Sequence, residues 1–125
     1  MSGHLQGQQV EVLIDGGSTY NFIQEKVAIH LGLPIVASTN FTVMIGNEDH
    51  MCCFEVCANA SLQLDGHEFL VDLFLLPIRG ADLVLGMQWL AILGPILMDY
   101  KALTISFDWK GKSLSLQGRQ LQRIT

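Results

Sequence analysis

The sequence lacks a long apolar run and the features of a secretory signal. Its longest apolar stretch, residues 83–98, is interrupted by Gly86, Gln88, Gly94 and Pro95. A membrane-spanning helix needs about 18 or more consecutive apolar residues, so no segment is long enough to span a bilayer. The first residues have neither the basic segment nor the apolar core of a signal peptide. We therefore expect no membrane partner and no secretion.

Positive charge is also scarce. Lysine and arginine total 7 against 12 aspartates and glutamates, the net charge is −5, and the basic residues are scattered along the chain. Proteins that bind nucleic acid cluster Lys and Arg on one face to neutralise phosphates. We therefore expect that this domain binds no nucleic acid.

The cysteines are too few and too close together for a disulfide framework. Cys52, Cys53 and Cys57 are an odd number within one short segment. Without a secretory signal this favours free thiols and a reducing, cytoplasmic location. A metal site would have to recruit His50 or His67, but the spacing lacks the paired Cys-x2-Cys or His-x3-His arrangement of zinc sites. We expect buried strand cysteines, no metal and no cofactor.

What the chain does contain is apolar residues, which make up 50% of its 125 residues while charged residues make up 15%. A chain of this length is expected to form one domain that buries roughly two thirds of its unfolded surface. A composition this apolar leaves excess apolar surface, which favours an additional interface between chains. We divide the chain into an N-terminal extension or cloning remnant at 1–8, one domain at 9–117 and a polar tail at 118–125.

Short strands joined by turns dominate the pattern, together with two helices. A strand is expected at Gln9 to Ile14, where apolar side chains alternate. A helix is expected from Ser18, with Ser18 or Thr19 as its N-cap and Gly32 near its C-cap, and a second helix over 87–93. Further strands are expected over 41–45, 51–56, 61–64, 67–76, 81–85, 96–98, 103–109 and 113–116, with turns at 46–49 and 65–66 that form two hairpins.

A carboxylate in a glycine-rich turn is the candidate functional site. Residues 10–19 read Val-Glu-Val-Leu-Ile-Asp-Gly-Gly-Ser-Thr, so a strand delivers Asp15 into the turn. Asp15 can be a simple turn former. A phosphate site is disfavoured because Asp15 would repel the anion and no Gly-x-Gly-x-x-Gly or P-loop pattern is present. A Ser-His-Asp hydrolase is disfavoured because Ser18 lacks the Gly-x-Ser-x-Gly elbow. The residues alone leave open whether Asp15 is a turn former or a catalytic carboxylate.

Two segments resemble a known family. Residues 12–23, Val-Leu-Ile-Asp-Gly-Gly-Ser-Thr-Tyr-Asn-Phe-Ile, resemble the Asp-Ser/Thr-Gly-Ala/Ser signature of retropepsins, most closely the protease domain of plant-like Ty3/gypsy-type retrotransposon polyproteins. Residues 81–90, Ala-Asp-Leu-Val-Leu-Gly-Met-Gln-Trp-Leu, resemble the second hallmark of that group. The resemblance covers about Gln9 to Leu116. It implies a mostly β, retropepsin-like closed barrel or sandwich with two short helices, assembled as a homodimer.

The resemblance also implies a function, that of an aspartic endopeptidase acting on a polyprotein. Two nearby carboxylates share one proton and activate a water molecule between them. Because the chain has one Asp-x-Gly-Ser motif, each of two chains supplies one Asp15. Gly16, Gly17, Ser18 and Thr19 are implied as supports of the loop, with Gly17 allowing close approach of the partner and Ser18 bonding the outer oxygen of Asp15.

The hairpin over 41–54 is implied as the flap that closes over the peptide substrate and excludes water. Its tip is Gly46 to Asp49, and Ile45, Gly46, Asn47 and Glu48 are implied as the flap residues that bind substrate. By the same resemblance the chain ends contribute to the dimer, which makes Ser113 to Gln117 the candidate interface strand.

One position departs from the family pattern. The residue after the catalytic Asp is usually Ser or Thr, whose hydroxyl braces the two active-site loops against each other, and here it is Gly16. Losing that hydrogen bond predicts a weaker dimer or a looser pair of carboxylates. The alternative function is therefore a catalytically weak or inactive dimerisation or peptide-binding module that keeps this fold.

Overall fold

The computed structural model describes residues 1–45 and 49–117, with side chains described outside 38–54. As predicted, the described chain is mostly β with two short helices. The elements are β1 (Ser2–Leu5), β2 (Gln8–Ile14), β3 (Phe22–Gln24), α1 (Glu25–His30), β4 (Val36–Ile45), β5 (Asp49–Leu64), β6 (His67–Leu76), β7 (Leu83–Leu85), α2 (Met87–Leu93), β8 (Ile96–Asp99), β9 (Thr104–Trp109) and β10 (Lys112–Gln117).

Six strands form a closed barrel in the order β1-β2-β7-β3-β6-β5, which the pairing of β1 with β5 completes, and β4 extends the sheet beyond β5. The closing contact pairs His4 with Gln63 and Leu5 with Leu62. Residues 1–8, which we expected to be an extension, thus contribute a strand to the barrel. Closure leaves no free edge within those six strands.

Alternating side chains fill the barrel. Val10, Val12 and Ile14 on β2 are buried, as their period of two predicts. The β5–β6 hairpin supplies much of the remaining core, and its turn was also predicted: Asp65 and Gly66 have φ values of 52° and 81°. Positive φ at both central residues is the type I′ geometry that favours Asp-Gly.

A three-stranded sheet in the order β10-β9-β8 packs with helix α2 against one side of the barrel. Aromatic rings join these parts. Phe69 of β6 lies 5.6 Å from Trp89 of α2 and 4.9 Å from Trp109 of β9, measured between ring centroids. Trp89 is 1% exposed. This cluster fixes the position of α2, whose first residues meet the Asp15 loop.

The first helix begins later than predicted. It starts at Glu25 with Gln24 as its N-cap, so Ser18 and Thr19 do not cap it. Residues Phe22–Gln24 instead form β3, parallel to β6 and antiparallel to β7. The apolar spacing fits a helix locally, but the strand pairing buries Phe22 and Ile23 in the sheet. The predicted C-terminal end is confirmed, since Gly32 follows α1 with φ of 65°.

The two strands expected at 51–56 and 61–64 are one continuous strand, β5. Its register with β6 shifts between Cys57 and Ala60. Asn59 has φ of 52°, and its N–H donates to the Asp72 carboxylate at 2.9 Å. The interval between the two predicted strands therefore contains a β-bulge, which adds a residue without ending the strand.

Parts of the predicted organisation lie outside the described residues: 46–48 of the flap tip and the tail at 118–125. Ile45 is the last described residue of β4, where it pairs with Asp49. Within the described chain, no helix is long and apolar enough to cross a membrane.

Candidate active site

Two glycine-containing segments that follow strands, Ile14 to Phe22 and Leu83 to Leu90, lie side by side, and we call them the two junctions. β2 and β7 are parallel, with Val12 opposite Leu83 and Ile14 opposite Leu85. The Asp15 N–H donates to the Leu85 carbonyl at 2.9 Å. The loop at 15–21, which we call the Asp15 loop, therefore leaves the sheet beside the turn that enters α2.

The Asp15 carboxylate is exposed at the end of a buried strand. Its Oδ1 accepts a hydrogen bond from the Gly17 N–H at 2.9 Å, and its backbone carbonyl accepts one from the Ser18 N–H at 3.1 Å. A Cβ atom on Gly17 would lie 3.2 Å from Oδ1. The glycine thus lets its own N–H approach the carboxylate and orient it.

Ser18 and Thr19 support the loop through bonds different from the one expected. The Ser18 hydroxyl donates to the Tyr20 carbonyl at 3.0 Å rather than to Asp15. The Ser18 carbonyl accepts from the Met87 N–H at 2.7 Å, and the Thr19 carbonyl accepts from the Gln88 N–H at 2.9 Å. The first turn of α2 therefore holds the loop through its otherwise unpaired N–H groups.

Gly86 packs directly against the backbone of the Asp15 loop. A Cβ atom at this residue would lie 2.5 Å from the Tyr20 carbonyl oxygen and closer still to that of Ser18. The backbone of Gly86 is extended, with φ of −108°, so the constraint is spatial rather than conformational. Only a residue without a side chain leaves room for the Asp15 loop.

Asn21 is a site residue that the sequence interpretation missed. It is 2% exposed, and its Oδ1 accepts the Gly86 N–H at 2.9 Å. The sequence feature that could have identified Asn21 is its place as the one polar residue in the apolar run Tyr-Asn-Phe-Ile. That pattern indicates a buried polar group, but nothing in it identifies a partner 65 positions away.

Gly16 has space for a side chain among the described residues. Within that part of the chain, and leaving out its chain neighbours, the only heavy atom within 4 Å of a Cβ atom built on it is Leu90 Cδ1 at 3.9 Å. The residue is exposed. A serine side chain therefore fits within this chain, so its absence is not imposed by the surrounding structure.

A second apolar cluster adjoins the loop. Phe22 and Leu76 are buried in it, with Tyr20, Phe74, Ile78 and Val84 packed against them. The Tyr20 and Phe74 rings meet edge to face with centroids 5.5 Å apart. Half-buried apolar side chains therefore lie directly after Ser18 and Thr19 in the chain.

Other candidate groups lie away from this loop. Cys57 is a buried free thiol on β5; burial raises its pKa, and the nearby Asp72 carboxylate raises it further. In the described part of the chain, no three His, Cys, Asp or Glu side chains are grouped closely enough to hold a metal ion. Gly46, Asn47 and Glu48 lie outside the described residues.

A closed barrel that presents one acidic loop against a glycine turn has the architecture of an acid protease domain. A family model described as retroviral aspartyl protease matches residues 4–110, and the chain therefore belongs to that family. The retropepsin-like fold is confirmed by a solved structure, the retroviral protease-like domain of Ddi1 from Leishmania major. Its TM-score is 0.69 at 15% sequence identity, over 98% of this chain and 94% of that one. At that identity the likeness concerns the fold alone. No curated protein matches the sequence.

Proposed function

We propose that the protein is a homodimeric aspartic endopeptidase in which each chain contributes one Asp15 carboxylate to a shared site. The observation that carries the proposal is the exposed Asp15 carboxylate, oriented by the Gly17 N–H at the end of a buried strand. Membership of the retroviral aspartyl protease family supports it. Because the chain contains one Asp-x-Gly-Ser motif, a site with two carboxylates needs a second copy.

The reaction follows from the charges of the paired carboxylates. Two carboxylates about 3 Å apart cannot both ionise, so the pair holds one proton. The ionised member takes a proton from a water molecule, whose oxygen attacks the peptide carbonyl carbon. The protonated member donates to the carbonyl oxygen, and a proton passes to the amine as the C–N bond breaks. This mechanism uses neither a metal nor a covalent intermediate.

The loop residues have supporting roles in this proposal. Gly17 orients the carboxylate, while Ser18 and Thr19 anchor the loop to α2 through their carbonyls. Gly16 occupies the position where the family pattern has a hydroxyl that braces the partner's loop. A rigidly held carboxylate is what a two-carboxylate site requires, because the reacting groups must keep their geometry within fractions of an ångström.

The dimer contact is proposed to include an edge of the three-stranded sheet. Among the described strands, β10 has β9 as its only neighbour, so one edge retains free N–H and C=O groups. The contribution of the chain ends in the resembling family favours Ser113 to Gln117. The opposite edge, β8, is a competing surface because Leu97 is 70% exposed there.

Extended peptides with apolar side chains around the cleaved bond are the proposed substrates. The half-buried apolar cluster beside the Asp15 loop supports this choice. We propose that the flap closes over them and that its residues Ile45, Gly46, Asn47 and Glu48 bind the substrate. The proposed parent molecule is a polyprotein of a plant-like Ty3/gypsy retrotransposon, and the proposed site of action is the cytoplasm.

Cleavage of a peptide library at acidic pH tests the function, with and without pepstatin. Asp15→Asn removes the acid while keeping the size of the side chain, and we expect no cleavage. Asp65→Asn is the matched control, because Asn-Gly keeps the same type I′ turn, and we expect the parent's activity. Cleavage that survives Asp15→Asn contradicts the proposal.

The second candidate function, a dimerisation or peptide-binding module without strong catalysis, is favoured by Gly16. The missing hydroxyl is not imposed by the surroundings, since Leu90 is 3.9 Å from the Cβ position. Dimers that bind peptides in equilibrium dialysis but never cleave them support this function and contradict the first.

A further inference from the structure

Asn21 is the polar exception in the core. Among residues with described side chains it is the one buried residue that is polar or charged, at 2% exposure. Its neighbours in the chain, Phe22 and Ile23, are buried apolar side chains. A buried amide destabilises a fold unless its donor and acceptor groups form hydrogen bonds.

Every polar group of Asn21 has a partner. Its Oδ1 accepts from the Gly86 N–H at 2.9 Å, and its Nδ2 donates to the Asp72 carbonyl at 3.4 Å. One partner is a donor and the other an acceptor, so the orientation of the amide is determined. Its backbone N–H donates to Gln88 Oε1 at 3.3 Å, and its backbone carbonyl accepts from the Phe74 N–H at 3.0 Å.

These bonds hold one end of the Asp15 loop. The other end is held where the Asp15 N–H donates to the Leu85 carbonyl at 2.9 Å. Leu85 and Gly86 are consecutive residues, so one dipeptide fixes both ends of the loop. Because Gly86 packs tightly against the Ser18 carbonyl, the Asn21–Gly86 hydrogen bond determines the distance between the Asp15 loop and the start of α2.

We propose that Asn21 is a positioning residue: its buried amide clamps the Asp15 loop to Gly86 and thereby fixes the place of the Asp15 carboxylate. This inference rests on the proposed endopeptidase function. The side chain acts through the loop and not on the substrate. Its loss therefore lowers kcat and leaves KM close to the parent's, because misplacing a reacting group by about 1 Å costs on the order of 100-fold in rate.

The variant Asn21→Asp makes the clamp dependent on pH. A protonated Asp has the shape of Asn, and its hydroxyl can donate to the Asp72 carbonyl while the other oxygen accepts from Gly86. Once ionised, it has no hydrogen to donate, and one of its oxygens faces a carbonyl oxygen. Burial disfavours the ionised form, which raises the pKa of the introduced carboxyl. Among the residues whose hydrogen bonds to Asn21 are described, Asp72 is the one with a charged side chain; its backbone carbonyl faces the amide, while its carboxylate accepts from the Asn59 N–H.

The experiment compares kcat and KM of the parent, Asn21→Asp and Asn21→Ala from acidic to neutral pH, as ratios to the parent at each pH. Gln9→Glu is the matched control, since it adds the same charge at an exposed position on β2. Circular dichroism confirms that each variant is folded, and sedimentation that it is dimeric, at the assay concentration. Amide hydrogen exchange of Gly86, Met87 and Gln88 reports the clamp directly.

We expect Asn21→Asp to match the parent in acid and to fall roughly 10- to 100-fold in kcat as the pH rises, with Gln9→Glu unchanged. We expect Asn21→Ala to be reduced by a similar factor at every pH. Gly86 exchange accelerates in step with both losses. Folded variants that keep the parent's kcat at all pH values overturn the positioning role. If the parent cleaves nothing, the endopeptidase function fails, while unchanged Gly86 exchange in Asn21→Ala separately overturns the clamp.

Discussion

Replacing Gly86 by alanine tests how tightly the two junctions are packed. The added methyl group would lie 2.5 Å from the Tyr20 carbonyl oxygen and closer to that of Ser18. Both obstacles are backbone atoms, which cannot rotate away as the end of a side chain can. Alanine itself tolerates the extended backbone at this residue, with φ of −108°. The whole effect of Gly86→Ala is therefore a collision with the Asp15 loop.

The size of the effect follows from the contacts that the loop must give up. Overpacking by one methyl group costs about 1–3 kcal/mol. Moving the loop away also weakens the bonds from the Met87 and Gln88 N–H groups to its carbonyls, each worth roughly 1 kcal/mol. We expect a loss of about 3–5 kcal/mol, a large share of the roughly 5–15 kcal/mol that stabilises a domain.

Urea unfolding, followed by tryptophan fluorescence at fixed protein concentration, measures this loss. Gly16→Ala is the matched control, a glycine of the same loop whose added methyl group meets, among the described residues, only Leu90 at 3.9 Å. We expect its free energy of unfolding to stay within about 1 kcal/mol of the parent's, since replacing Gly by Ala restricts the unfolded chain only slightly. A Gly86→Ala loss below about 1 kcal/mol, or equal losses in both variants, refutes the close packing described here.

Three further predictions concern the dimer and Cys57. Gly16→Ser restores the bracing hydroxyl in both chains, which adds two symmetric hydrogen bonds of roughly 1 kcal/mol each. We expect the dimer Kd measured by sedimentation to fall about 30-fold. An unchanged Kd contradicts the bracing role. If β10 is the interface strand, we expect Ser115→Glu to raise the dimer Kd, because the two introduced carboxylates repel each other across the interface. Leu97→Glu on β8 is expected to leave the Kd unchanged. A raised Kd for Leu97→Glu together with an unchanged Kd for Ser115→Glu indicates that β8 is the interface strand instead. The raised pKa of Cys57 means that the folded state holds the thiol proton more tightly than the unfolded state, so stability falls as the pH rises above the ordinary thiol range. Mass spectrometry of the alkylated Cys57 peptide is expected to show slow labelling at mildly alkaline pH and fast labelling in urea; equal rates contradict the burial.

Local patterns predicted the elements whose surroundings agree with their sequence. Val10, Val12 and Ile14 alternate because one face of β2 meets the core. The Asp65-Gly66 pair predicted its turn because few other residues tolerate positive φ at both positions. Helix α2 was predicted with its observed bounds, Met87–Leu93, ending at Gly94. In each case the residues that determine the local structure lie within a few positions of the pattern that predicted it.

Long-range pairing explains where the predictions were wrong. Phe22 and Ile23 fit the apolar face of a helix equally well, and only the presence of β6 and β7 makes this segment a strand. β7 is shorter than predicted for a related reason. The Asp82 N–H donates to the Glu11 carbonyl at 3.0 Å, but the Glu11 N–H donates to the Asp82 carboxylate at 2.7 Å, so a side-chain oxygen takes the place of a backbone acceptor there. Neither partner lies close enough in the sequence to be inferred from composition.

The candidate site also has a part that the sequence predicted and a part that depends on long-range contacts. Asp15 and Gly17 were identified from a short motif, whereas the groups that hold them came from residues 85–88, about seventy positions away. A motif shows which chemistry a loop carries. What keeps that loop in place depends on contacts that only the closed barrel creates.

The register of the two junctions bears on the proposed need for a second chain. Ile14 lies opposite Leu85, so Asp15 and Gly86 occupy corresponding positions at the ends of parallel strands. An acid at the end of the neighbouring strand β7 would occupy the position of Gly86. That position has no room even for a methyl group, because the carbonyls of Ser18 and Tyr20 fill it. The packing that fixes Asp15 therefore excludes an acid at this neighbouring position. This agrees with the proposed mechanism, in which the partner carboxylate comes from another copy.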